Sequence, residues 1–432
     1  MSRWSWITPV ATAAVAFYVG RSLGPGSVAF PDPASARSAD EMERAVAEAL
    51  AEPRAFPRTS ALIRLFEGLS TGNVEGAARA IDARAGEYDP VDLQLFLTAW
   101  THLDPTAAIR AVQAWPIRSR RELGIRLVMR EWAASGKPIE AGAYFDTMTD
   151  PAQRDLAAGP LVRGWALSGD AEGALDLARR FWQADGRRDV VDAWVRGVLH
   201  VRGPAGTFEL ASRVDPGIEG EFATRVIQTA LNLAGRSDPE AAAAFFDGAA
   251  AKPTAGPWLT AELPRIAGLL RNQSPQNALA WTLRQAESPE RTRALRETAA
   301  TWAKLDFDAA WSWFEANATS ARNPSQELSP TDATVLTGLV GRMARIRPAE
   351  AAPWALRLRV GPERVEMIRR VAYFWSAQDA GAADAWIEGL TLSPEDLARV
   401  REAATWGRSQ EPAGEELDAA AEGESPAAAE GH

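Results

Sequence analysis

The chain has 432 residues, of which 46% are hydrophobic and 24% charged, with a formal net charge of −10 and no cysteine. This is the composition of a folded chain, which excludes global disorder, and the lack of cysteine excludes disulfides, thiolate catalysis and cysteine-based zinc sites. Seven acids against one arginine stand between Arg408 and His432; the rest of the chain is close to balanced and lacks the basic excess of a nucleic-acid binder.

The first predicted element is an apolar segment over residues 4–20, closed by Arg3 on one side and Arg21 on the other. Its length of about 17 residues is at the short end for crossing a bilayer. Trp4, Trp6 and Tyr18 suit interfacial positions. Three readings compete: an uncleaved membrane anchor (residues 1–23), a cleaved signal peptide with Ser27-Val28-Ala29 as a weak site, and a partly buried first helix. The anchor is the expectation, because Arg21 between the apolar run and the site speaks against cleavage. One arginine on each side does not set the orientation; by analogy with single-anchor proteins the body is placed in the periplasm. Residues 24–58 read as a linker holding one short helix from Ser38 to Ala51, with Ser38 and Glu41 as a capping box.

Residues 59–405 show apolar positions recurring at three and four, interrupted by short Gly, Pro or Asp punctuation. That predicts helices of about 10 to 15 residues joined by short turns. A register recurs at Val74, Pro105, Pro138, Ala171, Pro204, Pro239, Pro275, Phe307, Pro348 and Ala380. The 41-residue step in it holds a polar insertion near Asn323 to Ser329. Three residues after each mark stands Ala in nine of ten units, with Thr207 the exception; six after, all ten residues are apolar or aromatic, from Ala80 to Trp386. Caps such as Asp104, Asp238 and Ser274 precede the marks, and proline at the first helical position sacrifices no hydrogen bond. Ala at +3 admits a partner helix, and the residue at +6 is expected to fill the hairpin core. Neither helix of a pair can bury its apolar face alone, so the units must stack. Residues 406–432 are Ala, Glu, Gly, Ser and Pro with almost no large apolar residue, which predicts a disordered acidic tail.

Trp165-Ala-Leu-Ser-Gly169-Asp170-Ala-Glu-Gly-Ala174 resembles a tetratricopeptide-type repeat, as do Gly136-Lys137-Pro138 with Ala141 and Gly72-Asn73 with Ala77. In other units Asp-Pro or Ser-Pro replaces Gly-Asp and the spacing drifts, so the chain looks like a divergent relative. The fold class this implies is all-α: a right-handed α-solenoid of about ten antiparallel helical hairpins, preceded by the N-terminal hydrophobic helix. The resemblance also implies a concave surface, lined by the first helices, that holds a peptide or protein.

Arg130, Arg163 and Arg196 each stand eight residues before a mark, and Arg126 lies one turn from Arg130. Stacked units would set them in a row whose guanidinium forks match carboxylates. The plainer reading is that each arginine pairs with a nearby acid or lies over a tryptophan. The 17 tryptophans could line a ligand-stacking surface, but most occupy repeated core positions. Gly68-Leu69-Ser70-Thr71-Gly72 matches a nucleophile-elbow pattern yet falls in an inter-helix turn, away from His102 and His200. No metal-ligand cluster, phosphate loop or cofactor motif is present in the sequence. The expected function is a membrane-tethered scaffold of a bacterial envelope, not an enzyme, binding an acidic peptide or protein through Arg126, Arg130, Arg163 and Arg196. The alternatives are an enzyme acting on envelope polysaccharide or peptidoglycan, and a self-assembling structural repeat protein, which an exposed final helix around Leu392 to Ala404 would favour.

Overall fold

The computed structural model describes residues 37–84, 89–253, 255–318, 320 and 328–409. The apolar segment 4–20, the stretch from 410 onward and most of the polar insertion lie outside the described residues. Among the described residues every regular element is a helix and none is a strand. No described helix is long and apolar enough to cross a membrane. The chain divides between Ala234 and Gly235 into two compact units.

The repeated register translates directly into helix starts. Nine of the ten marked residues are the first residue of a helix. The tenth, Pro204, follows Gly203, whose φ of 67° and ψ of −174° split the run Asp189–Ala211 into two helices. Glycine reaches that backbone region without the clash a Cβ would cause. Asp104, Ser274, Asp306 and Asp379 each form a one-residue turn, being C-cap of one helix and N-cap of the next. Each side chain accepts the N–H three residues on, at 2.8 Å from Ala107, 3.2 Å from Asn277, 3.0 Å from Ala309 and 3.0 Å from Ala382. Replacing Asp306 or Asp379 by alanine is therefore expected to cost about 1 kcal/mol each, seen as a lower denaturant midpoint at unchanged slope.

In the first unit each long helix packs on the next: Ala55–Glu67 on Pro90–Leu103, that on Arg118–Ala134, then Pro151–Leu167, Asp189–Ala211 and Glu221–Leu233. The intervening helices Pro105–Gln113, Pro138–Thr147 and Ala171–Asp185 each contact the helices on either side. The second unit repeats the arrangement. Leu263–Gln273 packs on Pro289–Leu305, that on Pro330–Ile346, then Pro362–Gln378 and Pro394–Ser409. The short helices Pro275–Leu283, Phe307–Asn317, Pro348–Leu356 and Ala380–Glu388 lie against the long helices before and after them.

The packing refines the register. All ten +3 residues are buried, with at most 1% exposure. The +6 residues are a mixed set: Tyr144, Phe245, Trp313, Trp354 and Trp386 are only half-buried. The core position is +7, where Ile81, Val112, Phe145, Ala178, Ala211, Phe246, Thr282, Phe314, Ala355 and Ile387 are at most 3% exposed. Residues +3 and +7 lie four apart on one helix face, directly above one another. In three units the +6 side chain, beside that face, meets a tryptophan of the preceding long helix. Ring centroids are 5.3 Å apart for Trp132–Tyr144, 6.0 Å for Trp302–Trp313 and 5.5 Å for Trp375–Trp386.

Both chain-terminal helices of the described residues pack into their units. Ala39–Ala51, assigned above to the linker, has the expected Ser38–Glu41 capping box. It buries Met42, Val46 and Leu50 and packs on Ala55–Glu67 and Val74–Ala83. Pro394–Ser409 buries Val400, Ala403, Ala404 and Gly407 against Pro362–Gln378.

Candidate functional site

The arginine row lies on three consecutive long helices of the first unit. Arg118–Ala134 carries Arg126 and Arg130, Pro151–Leu167 carries Arg163, and the first part of Asp189–Ala211 carries Arg196. Glycine sets how closely these helices approach. A Cβ on Gly164 would overlap the carbonyl oxygen of Arg130 and lie 2.9 Å from the Cβ of Ala133. A Cβ on Gly197 would lie 2.9 Å from the carbonyl oxygen of Arg163 and 2.6 Å from the Cβ of Ala166. Each backbone is therefore laid on its neighbour at the level of the arginines. Gly338 against Arg296 and Gly407 against Tyr373 make the same contact in the second unit.

The four arginines differ in what surrounds them. Arg126 is exposed, its Nη2 3.9 Å from Glu122 Oε2. Arg130 is half-buried and donates from Nε and Nη2 to Glu131 Oε1 at 3.0 and 2.6 Å. Arg163 is half-buried; its Nε is fully buried without a hydrogen-bond partner among the described residues. Burial first, and then the charges of Arg130 and Arg196, hold the Arg163 guanidinium below the usual arginine range, with Glu131 pulling the other way. Arg196 is exposed. Neither Arg163 nor Arg196 has an acidic partner among the described residues. Local pairing thus accounts for Arg130 and, at longer range, Arg126. The described cation–π contacts fall on Arg120, Arg154, Arg179, Arg347 and Arg357, outside the row.

The other sequence candidates resolve into structural parts. Trp100, Trp115, Trp132, Trp194, Trp281 and Trp302 are buried core residues, whereas Trp406 is exposed. The Gly68–Gly72 segment is the turn between Ala55–Glu67 and Val74–Ala83. Buried Asn73 organises it, accepting the Ser70 N–H at 2.8 Å and donating to the Gly68 carbonyl at 3.1 Å.

One ionic cluster has no counterpart in the sequence reading. Arg58 reaches Asp89 Oδ2 at 2.7 Å and Asp92 Oδ2 at 2.9 Å. Asp92 is buried and its Oδ1 has no hydrogen-bond partner among the described residues. Burial raises the Asp92 carboxyl above its ordinary range despite the opposing charge of Arg58. With Arg84, Leu50, Ile81 and Leu93 these residues line a cavity of about 310 Å³. Asp89-Pro90 reads locally as an N-cap followed by proline, and Asp92 as an ordinary acid of the first helical turn, so no local signal announces the burial.

No protein-family model matches the chain, and no curated protein is significantly similar to it.

Proposed function

We propose that this chain is a tetratricopeptide-like right-handed α-solenoid, tethered to a membrane by residues 4–20, whose periplasmic body holds an acidic peptide or protein along Arg126, Arg130, Arg163 and Arg196. The observation that carries the reading is Arg163: a half-buried cation between two others, with an unsatisfied buried Nε and no acid of its own among the described residues. Like charges brought together in a partly desolvated site cost free energy, and an incoming carboxylate relieves that cost. Consecutive long helices packed in chain order are what a solenoid requires, since each repeat rests on its neighbours. Polar faces on the terminal helices fit the same architecture, because terminal repeats must meet water. The final helix exposes Glu395, Arg399, Arg401, Glu402, Thr405 and Arg408, with Trp406 its one large apolar residue outside. That face suits a cap better than a stacking surface, so self-assembly is the weaker reading. An enzyme reading would draw on Asp92, whose charge Arg58 already offsets.

The test compares the full chain in detergent with Arg163→Glu/Arg196→Glu. The expected result is one partner, captured from a membrane extract of the source cells and identified by mass, that the folded double variant loses by at least about 2 kcal/mol in affinity. Capture also weakens as salt shortens the screening length. If the double variant, with unchanged circular dichroism and thermal midpoint, retains the partner at full affinity, the row is not the binding surface.

A further inference from the structure

The spacing of the row, beyond its charge, selects a ligand. Helices with ordinary side chains at their contact lie about 8–10 Å apart. Here the Arg130 and Arg163 carbonyls rest on Gly164 and Gly197 with no side chain between. Two Cα cylinders of about 2.3 Å radius in backbone contact bring the axes to roughly 7 Å. The contact falls beside the arginines themselves, since Gly164 and Gly197 are the residues after Arg163 and Arg196. Such contacts would set the three guanidinium stems on a ladder with rungs of about 7 Å. In an extended chain, alternate side chains on one face repeat at about 6.7 Å. Adjacent residues point to opposite faces, and a three-residue step covers about 10 Å.

One rung is already paired. Glu131 stands where the next two helices carry Gly164 and Gly197, and its Oε1 accepts from Nε and Nη2 of Arg130 at 3.0 and 2.6 Å. That leaves Arg163 and Arg196 as the two rungs without an acidic partner among the described residues. We infer that the row reads an extended peptide segment with two acidic residues separated by one, Glu-x-Glu or its aspartate equivalents, crossing the helices from Arg163 to Arg196, with Glu131 holding Arg130 as a built-in third carboxylate. This rests on the acidic-partner reading above and adds spacing and backbone conformation to it. A helical ligand offers a one-turn repeat of about 6 Å but a body 10–12 Å wide, too broad to reach Arg163 between its neighbours.

The experiment uses the full chain and fluorescein-labelled peptides in a Ser-Gly background. Each carries two glutamates: adjacent, or separated by one, two or three residues. Anisotropy at low ionic strength is expected to show the one-residue separation binding about tenfold tighter than its isomers. Arg163→Gln/Arg196→Gln removes that preference. Glu131→Gln, which frees Arg130, raises the affinity of a Glu-x-Glu-x-Glu peptide relative to the two-glutamate peptide. Equal affinities for all isomers would overturn the spacing rule while leaving an acidic partner in place. Tightest binding at the three-residue separation would replace the strand by a helix. No binding of any peptide, with the partner of the capture experiment still held, would overturn the inference alone; no binding and no partner would remove both.

Discussion

Trp194→Ala is expected to destabilise the first unit by about 3–5 kcal/mol, the range for emptying a fully buried aromatic site. Among the described residues Trp194 heads the fully buried side chains by volume, with 0% exposure. It lies on the helix that carries Arg196, and its Nε1–H donates to the Ala171 carbonyl at 2.8 Å. Ala171 opens the helix that follows the Arg163 helix. The indole thus fastens one repeat to the next, in the segment that places two of the row's arginines. A thermal midpoint lower by about 10 °C is the expected readout. Trp194→Phe keeps most of the volume and loses the hydrogen bond, for a loss of about 1–2 kcal/mol. A Trp194→Ala cost below about 1 kcal/mol would mean that the indole is not buried as described.

Gly164→Ala and Gly248→Ala are expected to act with opposite signs. Alanine is the better helix former by about 1 kcal/mol, so an unobstructed helical glycine gains from the change. Gly248 lies within Pro239–Ala250 and a Cβ there would meet nothing within 4 Å. Gly248→Ala should stabilise by roughly 0.5–1 kcal/mol. At Gly164 the new methyl overlaps the Arg130 carbonyl, which is backbone and cannot swing aside. The two helices must separate, and the expected loss is about 2–3 kcal/mol, in the range of overpacked cores. The separation also stretches the step from Arg130 to Arg163, so Gly164→Ala is expected to alter acidic-ligand affinity at a site the ligand does not touch. Chemical denaturation of both variants checks the pair. Stabilisation by Gly164→Ala would show that the helices are not in backbone contact.

Much of this fold is legible in the chain because the signals are local. Every described proline that directly follows Asp or Ser is the first residue of a helix, and the ten register marks coincide with helix starts. Alanine at +3 declares a close neighbour, and all ten +3 positions are buried. The choice between +6 and +7 was not legible. Both are largely apolar, and their helical directions differ by about 100°. Only the position of the preceding long helix decides that Phe314 goes inside while Trp313 meets Trp302 at the edge. The same holds for Ala39–Ala51, whose capping box is local but whose partner, Val74–Ala83, is known only from packing.

The site divides in the same way. Three arginines at equal spacing identify the row, because a period in the chain becomes a period in space once equal units pack. Gly164 and Gly197 follow Arg163 and Arg196 at that same period, whereas Glu131 follows Arg130. What those glycines do depends on the facing carbonyl, which belongs to a helix more than thirty residues away. The plainer reading of a nearby acid holds for Arg130, but which acid was not legible, since neighbours such as Glu131 on a helix do not normally face each other. The buried Asp92 lies in a first turn where an acid is ordinarily solvated. Helix starts, repeat period and charge placement are properties of short stretches, and the sequence determined them by itself. Which faces are covered, which cations stay unpaired and which backbones touch depend on distances between remote segments, and only the tertiary structure decided those.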